Sequence, residues 1–506
     1  MNVKWSRRAI ILLTVAAVLR LLIALTAPVD LSGDEAYYWE WGRHLDWGYF
    51  SKPPLIGWLM GLAGWMFSNS EWGIRFMAVA FGTAGLFLLQ DLTRLMFGER
   101  AGFWALAAII LTPANAAGNL IFTIDAPLLF SWMLALYSGY RYIEDPDHRT
   151  TWAAVLGLAL ALGYLSKQMM LIFPLLWILF LLLEKDYRQL LRKPLTWAVL
   201  VLPLLALAPP ILWNASHDWI TFQHTGGHFA AKSLTFVRSI GWLGEFLGSQ
   251  LGLMSPVTLV ILVIVLARVA MTWRKAGAGM HYLWMFSAPA LAVFLVFSMR
   301  QRILPNWPAV YYVSALILCA GWLFSSHGIR PATILAKVFK TGLWISAGLV
   351  VLLYVVLYLS PLVPLERDPV ERIRGWAAYG EAVAEVDRTL WPERESIETT
   401  RVLQVVGHRY YAAELAYYHP EQPRVYLYNP PGRIRSQYGL WDGMETTGCH
   451  EGLIIQTNPE TPLPEDVINQ WEQIEEVSIR EIPVTLHSSR TVMFYKGIGM
   501  RQNRSE

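Results

Sequence analysis

Along most of the chain, polar positions are short interruptions between long apolar runs, and the last third reverses that proportion. A helix needs about 20 apolar residues to cross a bilayer. Runs of that kind lie near 8–27, 72–95, 101–119, 124–142, 151–166, 168–184, 195–213, 240–267, 281–299, 303–325 and 339–361. The pattern predicts an α-helical multispanning membrane protein, with about 11 to 13 transmembrane helices over residues 1–361. Only Ser166, Lys167 and Gln168 separate the two short runs at 151–184. Beyond Pro361 no span-length run recurs. Short β-like runs (Val402–Val406, Val425–Tyr428, Gly452–Gln456, Val492–Tyr495) alternate there with helix-like ones (Pro369–Asp387, Tyr410–Tyr418, Glu465–Gln473). That alternation predicts a soluble C-terminal α/β domain over 362–506.

Loop charge orients the spans, because short cytoplasmic loops collect lysine and arginine. With the N-terminus in the cytoplasm, the inside loops are 96–100, 143–150, 185–194, 268–280 and 326–338. Four of the five carry basic residues that acids do not outweigh, the densest being Lys185, Arg188, Arg192 and Lys193. The exception is 143–150, where Glu144, Asp145 and Asp147 outweigh Arg149. The same rule puts the first loop, 28–71, and everything after 362 on the outer side. Lys4, Arg7 and Arg8 precede the first apolar run, as in a secretory signal, but Arg20 lies within it and Pro28 follows Ala27. The reading is therefore an uncleaved anchor.

Composition agrees and narrows the function. Hydrophobic residues make up 55% of the chain and charged ones 16%, well short of the roughly 25% of soluble domains. The net charge of +3 is too small to point to nucleic acid. Cys319 falls in an apolar run and Cys449 in the polar tail, so no disulfide framework is expected. There is no Walker A motif and no GxGxxG that opens a helix, which argues against an ATP-driven pump or a Rossmann-type nucleotide-sugar enzyme. No span carries the intramembrane charges of an ion path.

The unusual polar residues gather on the outer side, and most densely in Gly33–Trp58, GDEAYYWEWGRHLDWGYFSKPPLIGW. Asp34 and Glu35 are adjacent acids followed by Tyr37, Tyr38 and Trp39. They could simply open a helix; alternatively, a carboxylate there takes a proton from an attacking hydroxyl or amine, with the rings stacking on a sugar. Lys52 either snorkels at the interface or, held rigidly before Pro53 and Pro54, meets an anion such as a lipid phosphate. Asp125 stands at the mouth of a run with Pro127 close behind, which suits a helix start, a functional acid, or both. His217, His224 and His228, with Asp218 nearby, have a spacing that admits a divalent metal but matches no compact zinc signature; hydrogen bonding is the plainer reading. Arg300 and Arg302 either anchor a span end or offer a second phosphate contact.

The stretch G-D-E-A-Y-Y-W-E-W, ending in Y-F-S-K-P-P-L-I-G-W-L, resembles the bacterial branch of the protein mannosyltransferase superfamily, which includes the lipid A aminoarabinose transferases. Thr123-Ile124-Asp125-Ala126-Pro127, Tyr164-Leu165-Ser166-Lys167 and Leu304-Pro305-Asn306-Trp307-Pro308 echo it. The resemblance implies a GT-C glycosyltransferase that uses a polyprenyl-phosphate sugar such as an undecaprenyl-phosphate sugar, with its cleft facing the periplasm. It implies Asp34 as the essential first-loop acid, Lys52 on the donor phosphate, Tyr38 and Tyr49 lining the site, and Asp125 as a second outer acid. Trp307 stands where the aminoarabinose transferase has a tyrosine, and His228 where it has an arginine, so the donor sugar is left open. The expected activity is inverting transfer of one sugar to a periplasm-facing acceptor, with lipid A or another envelope glycolipid foremost. A protein O-mannosyltransferase is the alternative acceptor class, and a lipid or sugar flippase the alternative outside enzymes.

Overall fold

The computed structural model describes residues 3–227, 235–325, 333–363, 368–392 and 397–501. By its internal contacts the chain forms two units. One comprises Met1–Thr26, Lys52–Ile56 and Trp72–Tyr354; the other comprises Ala27–Ser51, Gly57–Glu71 and Val355–Glu506. Most of the first loop thus folds with the C-terminal residues.

The first unit is helical. Lys4–Thr26, Glu71–Phe97, Pro194–Ser216, Ala278–Phe297 and Ile334–Leu362 are long and apolar enough to cross a membrane. Phe236–Met254 and Pro256–Met271 qualify together but meet at 103°, and Leu55–Phe67, Gln168–Leu183 and Ala309–Phe324 are apolar but shorter. The breaks have local causes. Thr112 caps a new short helix that starts at Pro113, which splits the run expected at 101–119. The run at 195–213 passes through a tight turn, Leu202–Leu207, that carries Pro203. Lys167, with an extended backbone, separates Arg149–Ser166 from the next helix as its polarity suggests.

Large rings fill the centre of this unit. Trp132 meets Phe173, Phe286 and Tyr311 edge-on. The buried Tyr282 hydroxyl donates to the Leu136 carbonyl at 2.9 Å, so the phenol is satisfied without water. Gly321 is needed for packing, since a Cβ there would lie 2.4 Å from the Phe97 ring. The outer faces stay aliphatic: Ile10, Ile11, Val15, Leu22 and Leu25 of the first helix are exposed. Such a surface suits lipid rather than water. The chain is an α-helical multispanning membrane protein.

The second unit is built on a five-stranded sheet. Its strands are β1 (Arg401–Val406), β2 (Val425–Leu427), β3 (Glu451–Gln456), β4 (Trp471–Pro483) and β5 (Ser489–Met500). Their order is β2-β1-β3-β5-β4. The first three are parallel, while β5 runs antiparallel to both β3 and β4. Helix Arg409–Tyr418 leaves β1 and packs against helix Trp376–Leu390 and against the first-loop helix Gly33–Arg43. Arg401 grips Asp387 through two guanidinium nitrogens, at 2.7 and 2.5 Å, which fixes helix Trp376–Leu390 to β1.

Two tail elements differ from expectation. The helix expected from Pro369 begins at Trp376, because Gly375 has φ +74° and sets a sharp entry. The helix expected over Glu465–Gln473 is only Glu465–Ile468, and the chain is already in β4 from Trp471. A register shift between Glu476 and Ser478 breaks the period-two alternation that would have marked this strand.

Candidate functional site

In the second unit, Gly33–Arg43 is a helix closed by a capping box. The Glu35 amide donates to Ser32 Oγ at 3.3 Å, and the Ser32 amide donates to Glu35 Oε2 at 2.9 Å. Glu35 is therefore occupied at the helix start and 1% exposed. Asp34 takes no part in the box, and its side chain remains 45% exposed. The Tyr410 hydroxyl donates to Asp34 Oδ1 at 3.1 Å, and Arg409 Nη2 lies 3.7 Å from the same oxygen. Arg409 also stands over the rings of Tyr37 and Tyr410, at 5.2 and 4.7 Å, a cation–π placement that holds the guanidinium in position. Burial pushes the Tyr37 phenol up to about 12, so it stays a neutral bed for that cation. A Cβ at Gly33 would come 2.4 Å from the Tyr410 ring, which makes a glycine before Asp34 a condition of this contact.

Arg409 and Tyr410 open the helix that follows β1, and His408 caps it, its Nδ1 accepting from the Tyr410 amide at 3.3 Å. Burial, with Arg409 adjacent, lowers the His408 pKa against the pull of Asp34. None of the three stands out as a site residue in the sequence. The available signal was their position directly after a strand and at the head of a helix, where α/β sheets place ligand contacts.

Tyr38 and Tyr49 are buried rather than open. Tyr38 meets Trp41 edge-on at 4.9 Å, and Tyr49 stacks on Trp41 at 4.4 Å. The Tyr49 hydroxyl donates to the Trp41 carbonyl at 3.1 Å and accepts from the Asp46 amide at 3.1 Å, tying down the turn that leads towards Lys52. Lys52 itself, in the first unit, is half-buried just before Pro53 and Pro54, and helix Leu55–Phe67 starts directly after them.

A second acidic centre lies wholly in the first unit. Asp125 is the first residue of helix Asp125–Glu144, and its carboxylate does not act as a side-chain cap. It pairs with Lys167 Nζ at 2.8 Å and accepts from Asn306 Nδ2 at 2.5 Å. The echo motifs Thr123–Pro127, Tyr164–Lys167 and Leu304–Pro308 thus meet at one point. Beside it is a cavity of 320 Å³ with a mainly apolar wall that includes Leu129, Leu253, Met254 and Leu316; Asp125, Asn306 and Gln250 also line it.

The other expected residues lie elsewhere. Arg302 is exposed and pairs with Glu245, its Nε 2.7 Å from Oε1, while Arg300 is exposed and Trp307 half-buried. His217 stacks on Trp213 at 4.0 Å, with Nδ1 2.8 Å from the Trp213 carbonyl, the plain hydrogen-bonding role. His224 is half-buried on helix Ile220–Gly227, and His228 lies outside the described residues. Among the described residues no three His, Cys, Asp or Glu side chains are grouped to hold a metal.

Residues 51–213 match the family described as dolichyl-phosphate-mannose-protein mannosyltransferase. The chain is 29% identical to the lipid A galacturonosyltransferase RgtD of Rhizobium johnstonii over 58% of its own length and 60% of RgtD. It is 24% identical to the lipopolysaccharide core galacturonosyltransferase RgtA of the same organism, over 67% of this chain and 66% of RgtA. The matches thus span at most about two thirds of these relatives. In fold, the chain is similar to ArnT from Cupriavidus metallidurans, solved bound to undecaprenyl phosphate, with TM-score 0.63, 16% identity and 98% of both chains covered. The chain is thus similar to the protein mannosyltransferase family over residues 51–213, and its fold is that of an ArnT-type transferase.

Proposed function

We propose that this protein is an inverting glycosyltransferase of the bacterial inner membrane. It moves one sugar from a polyprenyl phosphate to lipid A or the lipopolysaccharide core, on the periplasmic side. The observation that carries this reading is Asp34: a half-exposed carboxylate at a capped helix start, oriented by Tyr410 and Arg409. The named activities of RgtD and RgtA support the acceptor class and make galacturonate the first donor to test.

In the proposed step an acceptor hydroxyl oxygen attacks the anomeric carbon from the face opposite the lipid phosphate. The new carbon–oxygen bond forms as the bond to the phosphate oxygen breaks, and the electron pair leaves with the phosphate. Asp34 takes the hydroxyl proton; a phosphate acceptor would not need that help. Lys52 offsets the charge on the departing phosphate, with Arg300 or Arg302 as a second contact. The Asp125–Lys167–Asn306 group holds three chain segments around the apolar cavity, which is suited to the first isoprene units of the donor. The alternative of a protein O-mannosyltransferase draws on the family description matched over 51–213.

The test supplies the purified protein, in detergent with lipid A, with undecaprenyl-phosphate galacturonate, aminoarabinose or mannose in turn. Release of free undecaprenyl phosphate is the readout. Turnover is expected with one donor, reduced roughly 10²- to 10⁴-fold in Asp34→Asn, the range for a lost general base, and strongly reduced in Lys52→Ala. Turnover untouched in both variants would overturn the assignment. Silence with every donor would favour the flippase.

A further inference from the structure

We propose that the C-terminal α/β domain carries a second site, a pocket for one uncharged or amino-bearing pyranose ring of an envelope glycan, floored by Gln404 and walled by Trp441. The pocket is a cavity of 250 Å³ on one face of β1 and β2, closed by the segment that follows β2. In the parallel register Gln404 pairs with Tyr426, so both side chains point to this face. Val402 and Val406 share it by alternation, and both belong to the apolar cluster around Trp471 and Ile454. A carboxamide thus replaces an aliphatic side chain in the middle of a buried strand.

Its hydrogen bonding is half complete. Gln404 Nε2 donates to Gln470 Oε1 at 2.7 Å, while Gln404 Oε1, in a residue only 2% exposed, has no partner. A buried unpaired acceptor is destabilising, so leucine would make the better core. A ligand hydroxyl donating to that oxygen would offset the cost. The rest of the wall fits the same ligand. Trp441 is half-buried and lines the cavity with Tyr426 and Asn429, a ring face and amide groups of the kind that take the C–H face and hydroxyls of a sugar. Asp442 and Glu445 are exposed and also line the cavity, and acids there repel a phosphate or carboxylate ligand. Arg424, the cation in the lining, is committed: its Nη2 donates to the Asp442 carbonyl at 2.7 Å, and its guanidinium lies over Tyr426. An anionic nucleotide or lipid headgroup is therefore disfavoured.

Isothermal titration of the full-length protein in detergent tests this, with two probes: the lipid-free core oligosaccharide of lipopolysaccharide, and lipid A. The oligosaccharide is expected to bind. Trp441→Ala and Gln404→Leu should each weaken it roughly tenfold or more, the penalty for a hydroxyl or ring that finds no match, while Trp441→Phe should keep most of the affinity. Gln404→Leu should also raise the Tm, which separates lost binding from lost folding. No saturable binding of the oligosaccharide, binding only of lipid A, or affinity unchanged in Gln404→Leu would each overturn the proposal. Because the readout is binding, these outcomes are independent of whether Asp34 catalyses transfer.

Discussion

Glu40 lies two turns after Asp34 on the same helix, 1% exposed, and it shows what the helix gives up to sit where it does. Burial pushes its carboxyl up to about 7, outweighing Arg43 at 3.4 Å and the Tyr438 hydroxyl, which donates to it at 3.4 Å. An unfolded glutamate titrates near 4.3. Between about 4.3 and 7 the unfolded chain therefore holds fewer protons than the folded one, and this group's contribution to stability falls as pH rises. Glu40→Gln should stabilise the protein by up to about 3 kcal/mol at pH 8 and by nothing near pH 4. Thermal unfolding of both proteins across that pH range checks it, and a gain that is the same at every pH would contradict it. Glu414, wholly buried with neither carboxyl oxygen bonded, shifts the same way through burial and the nearby Asp30 and Glu35. At this scale Asp34 is legible in the sequence, because two adjacent acids beside a run of rings are conspicuous. Arg409 and Tyr410 are not, since they reach Asp34 across some 375 residues through tertiary packing alone. Glu35 stands with Asp34 as an acid pair in the sequence, yet Ser32-x-x-Glu35 is also a capping-box pattern, and the local helix start uses it as such.

Among the elements, Ser255 marks where an apolar run stops being one helix. It has φ +62° and ψ 146°, a region almost reserved for glycine, and it joins two helices that meet at 103°. Its hydroxyl is tied to the site: Oγ donates to Thr258 Oγ1 at 3.1 Å and accepts from Ser346 Oγ at 2.6 Å. Ser255→Gly and Ser255→Ala both lose those bonds, but only alanine keeps the strained backbone. Glycine should therefore be the more stable of the two by about 1–3 kcal/mol, read from unfolding in detergent. Equal stability, or an advantage for alanine, would show that the bend is not strained. The bend explains why an apolar window near 240–267 reads as one long span: hydropathy reports where the chain is apolar, not its direction. The same limit hides β4, whose exposed, acid-rich edge and shifted register show neither period clearly. The parallel strands β1 and β3 are legible because both their faces are covered and their runs are mostly apolar.

For the whole molecule, the membrane character follows from composition alone, whereas the grouping of the first loop with the C-terminal residues needs the fold. Nothing in a hydropathy trace links Leu31 to Tyr418, yet the Leu31 amide donates to the Tyr418 hydroxyl at 2.7 Å, and Tyr418 in turn donates to Glu71 at 2.8 Å. This partnership makes the sidedness argument stronger than a count of basic loops. If the first loop and the tail form one folded unit, both must lie on the same side of the membrane, whatever the exact number of spans. The basic loop 185–194 should then lie opposite. The two native cysteines, Cys319 and Cys449, are both buried, so an added surface thiol can be read against a low background. We expect Glu472→Cys, exposed on β4, to react with a membrane-impermeant maleimide in cells whose outer membrane alone is permeabilised. Lys193→Cys, exposed in the basic loop, should react only after the inner membrane is opened. The reverse pattern would put Asp34 in the cytoplasm and remove the periplasmic acceptor from the proposed reaction. Labelling of both thiols before lysis would mean that the loop charges do not set the orientation.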